Sequence, residues 1–368
     1  MTMAPITVLV VDDSVVMRRL VSDVLASDAG IEVAGTAANG KVALAKIPLL
    51  NPDVVTLDVE MPVMDGLETL TALRALYPKL PVIMFSTLTE RGASATLDAL
   101  ERGASDYVSK PANLGSVGAS MDAVKAQLIP KIKALAARGR PVLDRLAAPV
   151  TTRPVVGLAA RRPAGPVDVV VVGVSTGGPD ALTTLVSDLP KDFPVPMVVV
   201  QHMPPVFTAL FAKRLDTKSQ LSVSEARGGE RLEAGKVLIA PGDFHVRLRR
   251  DKLGVVAHLD QGTPENYCRP SVDVLFRSAP EAFGGSVLAV VLTGMGSDGA
   301  KGAARIVEAG GSVIVQDAAT SVVWGMPGAV ANAGLAAEVL PLNLLARAIQ
   351  ARVTRGRAHA GARAGVTP

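Results

Sequence analysis

Three short segments of this 368-residue chain each follow an apolar run, and together they supply a nucleophile, a base and an acid. They are Gly173-Val174-Ser175-Thr176-Gly177-Gly178, Gln201-His202-Met203-Pro204 and Thr293-Gly294-Met295-Gly296-Ser297-Asp298-Gly299. A serine hydroxyl attacks a carbonyl well only when an imidazole takes its proton, and a carboxylate behind the imidazole fixes its tautomer and stabilises its charged form. The chain has only four histidines. His245 and His258 lie in hairpin-like patterns and His359 near the C-terminus, where structural or solvated roles suffice; His202 alone ends a strand pattern as Ser175 does. The chemistry indicated is hydrolysis through an acyl-serine.

Each segment also has a plainer explanation. Gly173 to Gly177 fits G-x-S-x-G, but a glycine-rich turn between strand and helix could instead cradle a phosphate. Here it lacks both the G-x-G-x-x-G pattern and the lysine of a phosphate loop. Pro179 suits a first helical turn whose free N–H groups face the site. Asp298 or Ser297 could simply cap the helix that Gly299-Ala300-Lys301 begins. The chain order Ser175, His202, Asp298 differs from that of the α/β-hydrolases, so a different topology is expected around the same chemistry.

A second group of polar residues gathers in the first third of the chain. Asp12 and Asp13 follow the first apolar run, Asp58 ends the third, Ser86 ends the fourth and Lys110 follows the fifth. In an open parallel sheet, the carboxyl ends of the strands share one edge, where such folds bind ligands. Helix capping would explain one aspartate there. Three carboxylates with no His or Cys nearby suit Mg²⁺, a hard cation that needs few protein ligands.

The elements that must position these groups follow from hydrophobic periodicity. Ile6 to Val11, Glu32 to Ala37, Val54 to Asp58, Val82 to Ser86 and Asp106 to Val108 alternate with helical patterns, giving a five-stranded, parallel, doubly wound α/β domain over 1–127. A basic Pro/Ala/Arg-rich linker is expected over 128–166. A second α/β domain is expected over 167–350, its mostly parallel sheet built from Asp168 to Gly173, Met197 to Gln201, Val287 to Leu292 and Ser312 to Gln316. Lys236 to Ile239, His245 to Leu248 and Val255 to Leu259 look like an antiparallel appendage. Residues 351–368 read as a flexible basic tail.

Charge supports this division. Lys plus Arg against Asp plus Glu is 10 to 15 over 1–127, 8 to 1 over 128–166, 16 to 18 over 167–350 and 4 to 0 over 351–368. The two basic stretches contain no aromatic residue on which a base could stack, so a solvated linker and tail are expected, and no nucleic-acid partner. No apolar run approaches the ~20 residues that cross a bilayer, and the N-terminus lacks a signal-peptide layout, so a cytoplasmic protein without membrane insertion is expected. The single cysteine, Cys268, forms no internal disulfide and no Cys-cluster zinc site, and reads as packing.

Residues 1–127, with Val11-Asp12-Asp13-Ser14, Asp58-Val59-Glu60-Met61-Pro62, Phe85-Ser86 and Tyr107-Val108-Ser109-Lys110-Pro111, resemble a response-regulator receiver domain. The resemblance implies that Asp58 is the phosphoacceptor, that Asp12, Asp13, Asp58 and the backbone carbonyl of Glu60 arrange Mg²⁺, and that Ser86 and Lys110 contact the phosphoryl group. Residues 167–350 resemble the catalytic domain of the chemotaxis protein-glutamate methylesterase (CheB) family, with Arg269-Pro270-Ser271-Val272-Asp273 and Trp324-Gly325-Met326-Pro327 joining the three segments above. That resemblance implies hydrolysis of glutamyl methyl esters on methyl-accepting chemoreceptors, deamidation of receptor glutamines and a chemotaxis-type histidine kinase as phosphodonor. It also implies activation by phosphorylation, oxyanion donors at the backbone of Thr176 and Met295, and no cofactor for the esterase. Among rivals, a phospho-dependent adaptor leaves the serine, histidine and aspartate set unexplained. A DNA-binding regulator would need a helix-turn-helix where an α/β pattern stands. Nothing in the sequence opposes a small-molecule esterase under receiver control.

Overall fold

The computed structural model describes residues 4–111, 117–139 and 165–364, which fall into two compact units. The N-terminal unit alternates strand and helix in the order β1 (Ile6–Val11), α1 (Val15–Ala26), β2 (Ile31–Ala37), α2 (Gly40–Leu50), β3 (Val54–Asp58), α3 (Gly66–Leu76), β4 (Val82–Ser86), α4 (Glu90–Glu101), β5 (Asp106–Ser109) and α5 (Val117–Gly139). Its five strands are all parallel in the order β2-β1-β3-β4-β5. β3 and β4 are buried at every position, as expected of strands covered by helices on both faces. The order reverses between β1 and β3, so Asp12, Asp13 and Asp58 emerge at the switch point.

Helix α5 continues through the boundary expected at residue 127. Leu128, Ile132, Leu135 and Ala136 are buried, so the helical pattern read as the start of the linker packs as part of a helix. The rest of the expected linker, 140–164, lies outside the described residues.

The C-terminal unit runs β6 (Val169–Val174), α6 (Gly178–Ser187), β7 (Met197–Gln201), α7 (Phe207–Lys218), β8 (Ser222–Glu225), β9 (Lys236–Ile239), β10 (His245–Asp251), β11 (Gly254–Asp260), α8 (Val272–Phe283), β12 (Val287–Val291), α9 (Ala300–Glu308), β13 (Ser312–Gln316), α10 (Met326–Asn332), β14 (Glu338–Leu340) and α11 (Leu342–Ala364). Its sheet has seven strands in the order β14-β13-β12-β6-β7-β9-β8, and every pairing is parallel. β10 and β11 form a separate antiparallel pair. The expected appendage is therefore smaller than the sequence suggested: Lys236–Ile239 pairs in parallel with β7 and β8. A four-residue run bounded by turns reads the same in either direction, which is why periodicity misplaced it. The sequence reading omitted β8 and β14, whose exposed positions hide any apolar run. Helix also continues to Ala364, into the stretch expected as a tail.

β6, the first strand of this unit, lies in the centre with β7 on one side and β12 on the other, a second switch point. Val169, Val171, Val198 and Val200 of β6 and β7 share a core cluster with Val287, Ala289 and Val291 of β12 and with Val272, Leu275 and Phe276 of α8. Phe276 is completely buried and lies close to Gly299 and Gly302, where the loop after β12 turns into α9. Phe276→Ala should destabilise this unit by about 3–5 kcal/mol in denaturant unfolding; a change within the noise would show that this packing is not limiting.

Candidate functional site

Parallel pairing brings the three C-terminal segments together. Val174 faces Gln201 in the β6–β7 register, and His202 N donates to Val174 O at 3.1 Å, so Ser175 and His202 leave the sheet side by side. On the other flank Ser175 N donates to Thr293 O at 3.0 Å. Gly294 lies so close that a Cβ there would come within 2.9 Å of Ser175 Cβ, which explains glycine at that position. The Gln201 amide ties the two loops together by donating to Ser175 O at 3.1 Å and His202 O at 3.3 Å.

Asp298 is not a helix cap for α9. The N-cap there is Gly299, at φ 95°, and the Asp298 carboxylate turns back across the site, only 2 % exposed. His202 Nε2 donates to its Oδ2 at 2.8 Å. Val272 N (2.7 Å) and Asp273 N (3.0 Å), the first amides of α8, also donate to it, as do Ser271 Oγ (2.8 Å) and Asn266 Nδ2 (2.8 Å). These donors fill the lone-pair sites of a carboxylate and set it at a positive helix end. In exchange, Asp273 of α8 accepts from Gly302 N in the first turn of α9 at 2.7 Å. Each helix start is thus satisfied by a carboxylate from the other's segment.

The titration of the pair follows from this geometry. Burial alone would raise Asp298, but the His202 hydrogen bond and charge and the α8 amides outweigh it and hold its carboxyl down at about 2. Burial alone would lower His202, whose side chain is 13 % exposed, but hydrogen bonds to Asp298 and Cys268 raise it to about 10. The imidazolium's contribution to stability is complete below its ordinary 6.5 and is lost as pH rises through the raised value. That of the carboxylate is present above 3.8 and is lost as pH falls through about 2.

The serine completes only part of the expected arrangement. Among the described residues no hydrogen bond joins Ser175 Oγ to His202; the free edge of the ring, Nδ1, faces Cys268 Sγ at 3.5 Å. Cys268 is therefore not the packing residue expected from sequence. Around Ser175, the N-terminus of α6 begins at Gly178 after Gly177, which takes φ 74°. Thr176 is buried and its carbonyl accepts from Thr293 Oγ1 at 2.9 Å. The amide of Met295 meets no acceptor among the described residues, while the flanking Gly294 donates to Val323 O. Sequence reasoning missed Asn266, Ser271 and Asp273 as supports of Asp298. The Arg269-to-Asp273 motif drew attention to that segment, but only the α8 start shows why. His245, expected to be structural, accepts from Ser271 N through Nδ1 at 3.2 Å and so supports the same loop.

In the N-terminal unit, Asp12 and Asp58 are each 3 % exposed and Asp13 is exposed; one carboxylate oxygen from each lies within 4.8 Å of the others. Lys110 Nζ bridges Asp58 (2.8 Å) and Asp12 (3.0 Å). Burial, opposed by Lys110 and reinforced by the Asp12 charge, pushes Asp58 up to about 6. One ammonium against three carboxylates leaves negative charge that fits a divalent cation with oxygen ligands. Ser86 is buried, its hydroxyl donating to Gly92 O at 2.9 Å, and lines with Asp58 and Lys110 a cavity of about 270 Å³. The Glu60 side chain is exposed and pairs with Arg91 at 3.3 Å, while Glu60 also lines the cavity. Capping of α1 falls to Ser14, not to Asp12 or Asp13.

Known proteins with the same layout exist. The CheB methylesterase family profile matches residues 170–349, and the response regulator receiver domain profile matches residues 8–121. A protein-glutamate methylesterase/protein-glutamine glutaminase of Nocardioides sp. is 58% identical over 96% of this chain and 97% of its own length. One of Trichodesmium erythraeum is 50% identical over 94% of this chain and 98% of its own. The Thermotoga maritima CheB methylesterase catalytic domain, a crystal structure, is 46% identical over 50% of this chain and 97% of its own, with a TM-score of 0.49. No described helix is long and apolar enough to cross a membrane.

Asp298→Asn should move the His202 titration, followed by ring-proton NMR, from well above 6.5 to below it, because burial then acts with less opposition; an unmoved titration would remove Asp298 as the cause.

Proposed function

This chain belongs to the CheB methylesterase family, with a receiver domain ahead of the esterase, and from that premise we propose that it is a protein-glutamate methylesterase and protein-glutamine glutaminase whose nucleophile is Ser175. The observation that carries the assignment is the His202–Asp298 pair at 2.8 Å, set beside Ser175 at the ends of central strands. Asp298 holds Nε2, so once the imidazolium has given up its second proton Nδ1 is the atom that takes the serine proton. Ser175 must displace Cys268 from that edge on forming the reactive complex, and such contacts commonly tighten only when substrate binds. The hydroxyl then attacks the glutamyl ester carbonyl, His202 returns the proton to departing methanol, and water cleaves the acyl-serine. With a glutamine side chain, the same proton leaves on ammonia. The Thr176 and Met295 amides receive the oxyanion, each donor contributing ~3 kcal/mol to the transition state. The Met295 amide, which meets no acceptor among the described residues, and the start of α6 just after Ser175 support that placement.

In the receiver, Asp58 accepts the phosphoryl group from a chemotaxis-type histidine kinase. Asp12, Asp13 and Asp58, with the Glu60 backbone carbonyl, would hold Mg²⁺, which when bound neutralises charge on the phosphoryl oxygens. Lys110, already on Asp58, stays to pair with the product phosphate, and Ser86 leaves Gly92 O to donate to it. That exchange loosens the first turn of α4 and is the local event that raises esterase turnover. The substrates are methyl-accepting chemoreceptors.

Methanol release from methylated receptor membranes should fall about 10³-fold or more in Ser175→Ala. Equal release by the two proteins would remove the serine from the mechanism. Acetyl phosphate should stimulate the wild type in Mg²⁺ but not in EDTA, and should leave Asp58→Ala unstimulated. Stimulation of Asp58→Ala would place the phosphoacceptor elsewhere.

A further inference from the structure

Cys268 is the only cysteine of the chain, is part-exposed, and stands opposite the one ring nitrogen of His202 that Asp298 leaves open. One ligand atom from each of His202, Cys268 and Asp298 lies within 4.8 Å of the other two. The Sγ–Nδ1 separation is 3.5 Å. A tetrahedral zinc with bonds of about 2.3 Å to sulfur and 2.0–2.1 Å to nitrogen places those two atoms roughly 3.6 Å apart. The two side chains are thus already spaced as neighbouring ligands. A thiolate with an imidazole selects a borderline-soft cation of the zinc class over Mg²⁺. Asp298, fixed by its ring of donors, cannot swing over to ligate, but it already sits where a carboxylate orients a metal-bound imidazole through the far nitrogen. The exposed Asn266 and Tyr267 flank the thiol, so an ion reaches it from solvent.

We propose that Cys268 Sγ and His202 Nδ1 form an inhibitory site for a zinc-class divalent cation, with Asp298 as the outer partner of the imidazole and water in the remaining positions. On binding, the thiol and the protonated Nδ1 of the imidazolium each release a proton to solvent, sulfur and Nδ1 then each donate a lone pair, and no electron is transferred. The consequence for activity rests on the esterase reading above: a coordinated Nδ1 cannot accept the proton of Ser175. Chelation restores it.

The test uses the full chain in excess Mg²⁺, which occupies the oxygen ligands of the receiver, and Co²⁺ as a spectroscopic probe. Wild type should show a sulfur-to-cobalt charge-transfer band with tetrahedral visible bands. Cys268→Ala and Cys268→Ser should lose the charge-transfer band and bind Co²⁺ about tenfold or more weakly; thermal melts establish that both variants are folded. Zn²⁺ should suppress wild-type methanol release reversibly with EDTA, and should reduce that of Cys268→Ser far less when each is measured against its own zinc-free rate. Absence of the band in wild type, its persistence in a variant, or equal Zn²⁺ inhibition of wild type and Cys268→Ser would each overturn the proposal. The cobalt spectrum reports on the metal site even if no esterase activity is found, so the two readings fail separately.

Discussion

The C-terminal site depends on a buried negative charge that has been made inexpensive. An isolated carboxylate in this interior would protonate or force the chain to rearrange. Asp298 stays ionised because the first amides of α8, the Ser271 hydroxyl, the Asn266 amide and the His202 ring converge on it. Since α8 lends its amides to Asp298, and α9 lends Gly302 N to Asp273 of α8, the packing of the two helices and the orientation of the imidazole are one structural problem. Any change that separates the helix starts also releases the ring.

The receiver site solves the opposite problem. There the carboxylates crowd together with one ammonium between them, and burial raises Asp58. That site is electrostatically unfinished, which suits the cation binding and phosphoryl transfer proposed for it, whereas the Asp298 carboxylate is saturated. Both lie where strand order reverses in a parallel sheet, so one topological rule places two different chemistries in one chain.

Much of this was legible in the residues. The receiver strands and the central strands β6, β7, β12 and β13 are β-branched runs with turn residues at their ends, and a buried parallel strand leaves little else for such a run to be. The meeting of Ser175, His202 and the Asp298 loop followed from strand ends sharing an edge. What stayed hidden depends on contacts distant in sequence. The parallel pairing of β9 is fixed by β7 and β8, and the supports of Asp298 come from a loop about thirty residues away whose polar side chains suit ordinary turns equally well. Cys268 was misread because a lone cysteine carries no periodicity, and only the fold brings its sulfur against the imidazole.

The central claim is that an imidazole oriented by Asp298 activates Ser175. Labelling by a serine-directed fluorophosphonate, with the modified residue located by mass spectrometry, measures that activation without any receptor substrate. The account predicts modification at Ser175 in the wild-type chain and its loss in His202→Ala. Equal labelling of Ser175 in both proteins, or labelling confined to another residue, would contradict it.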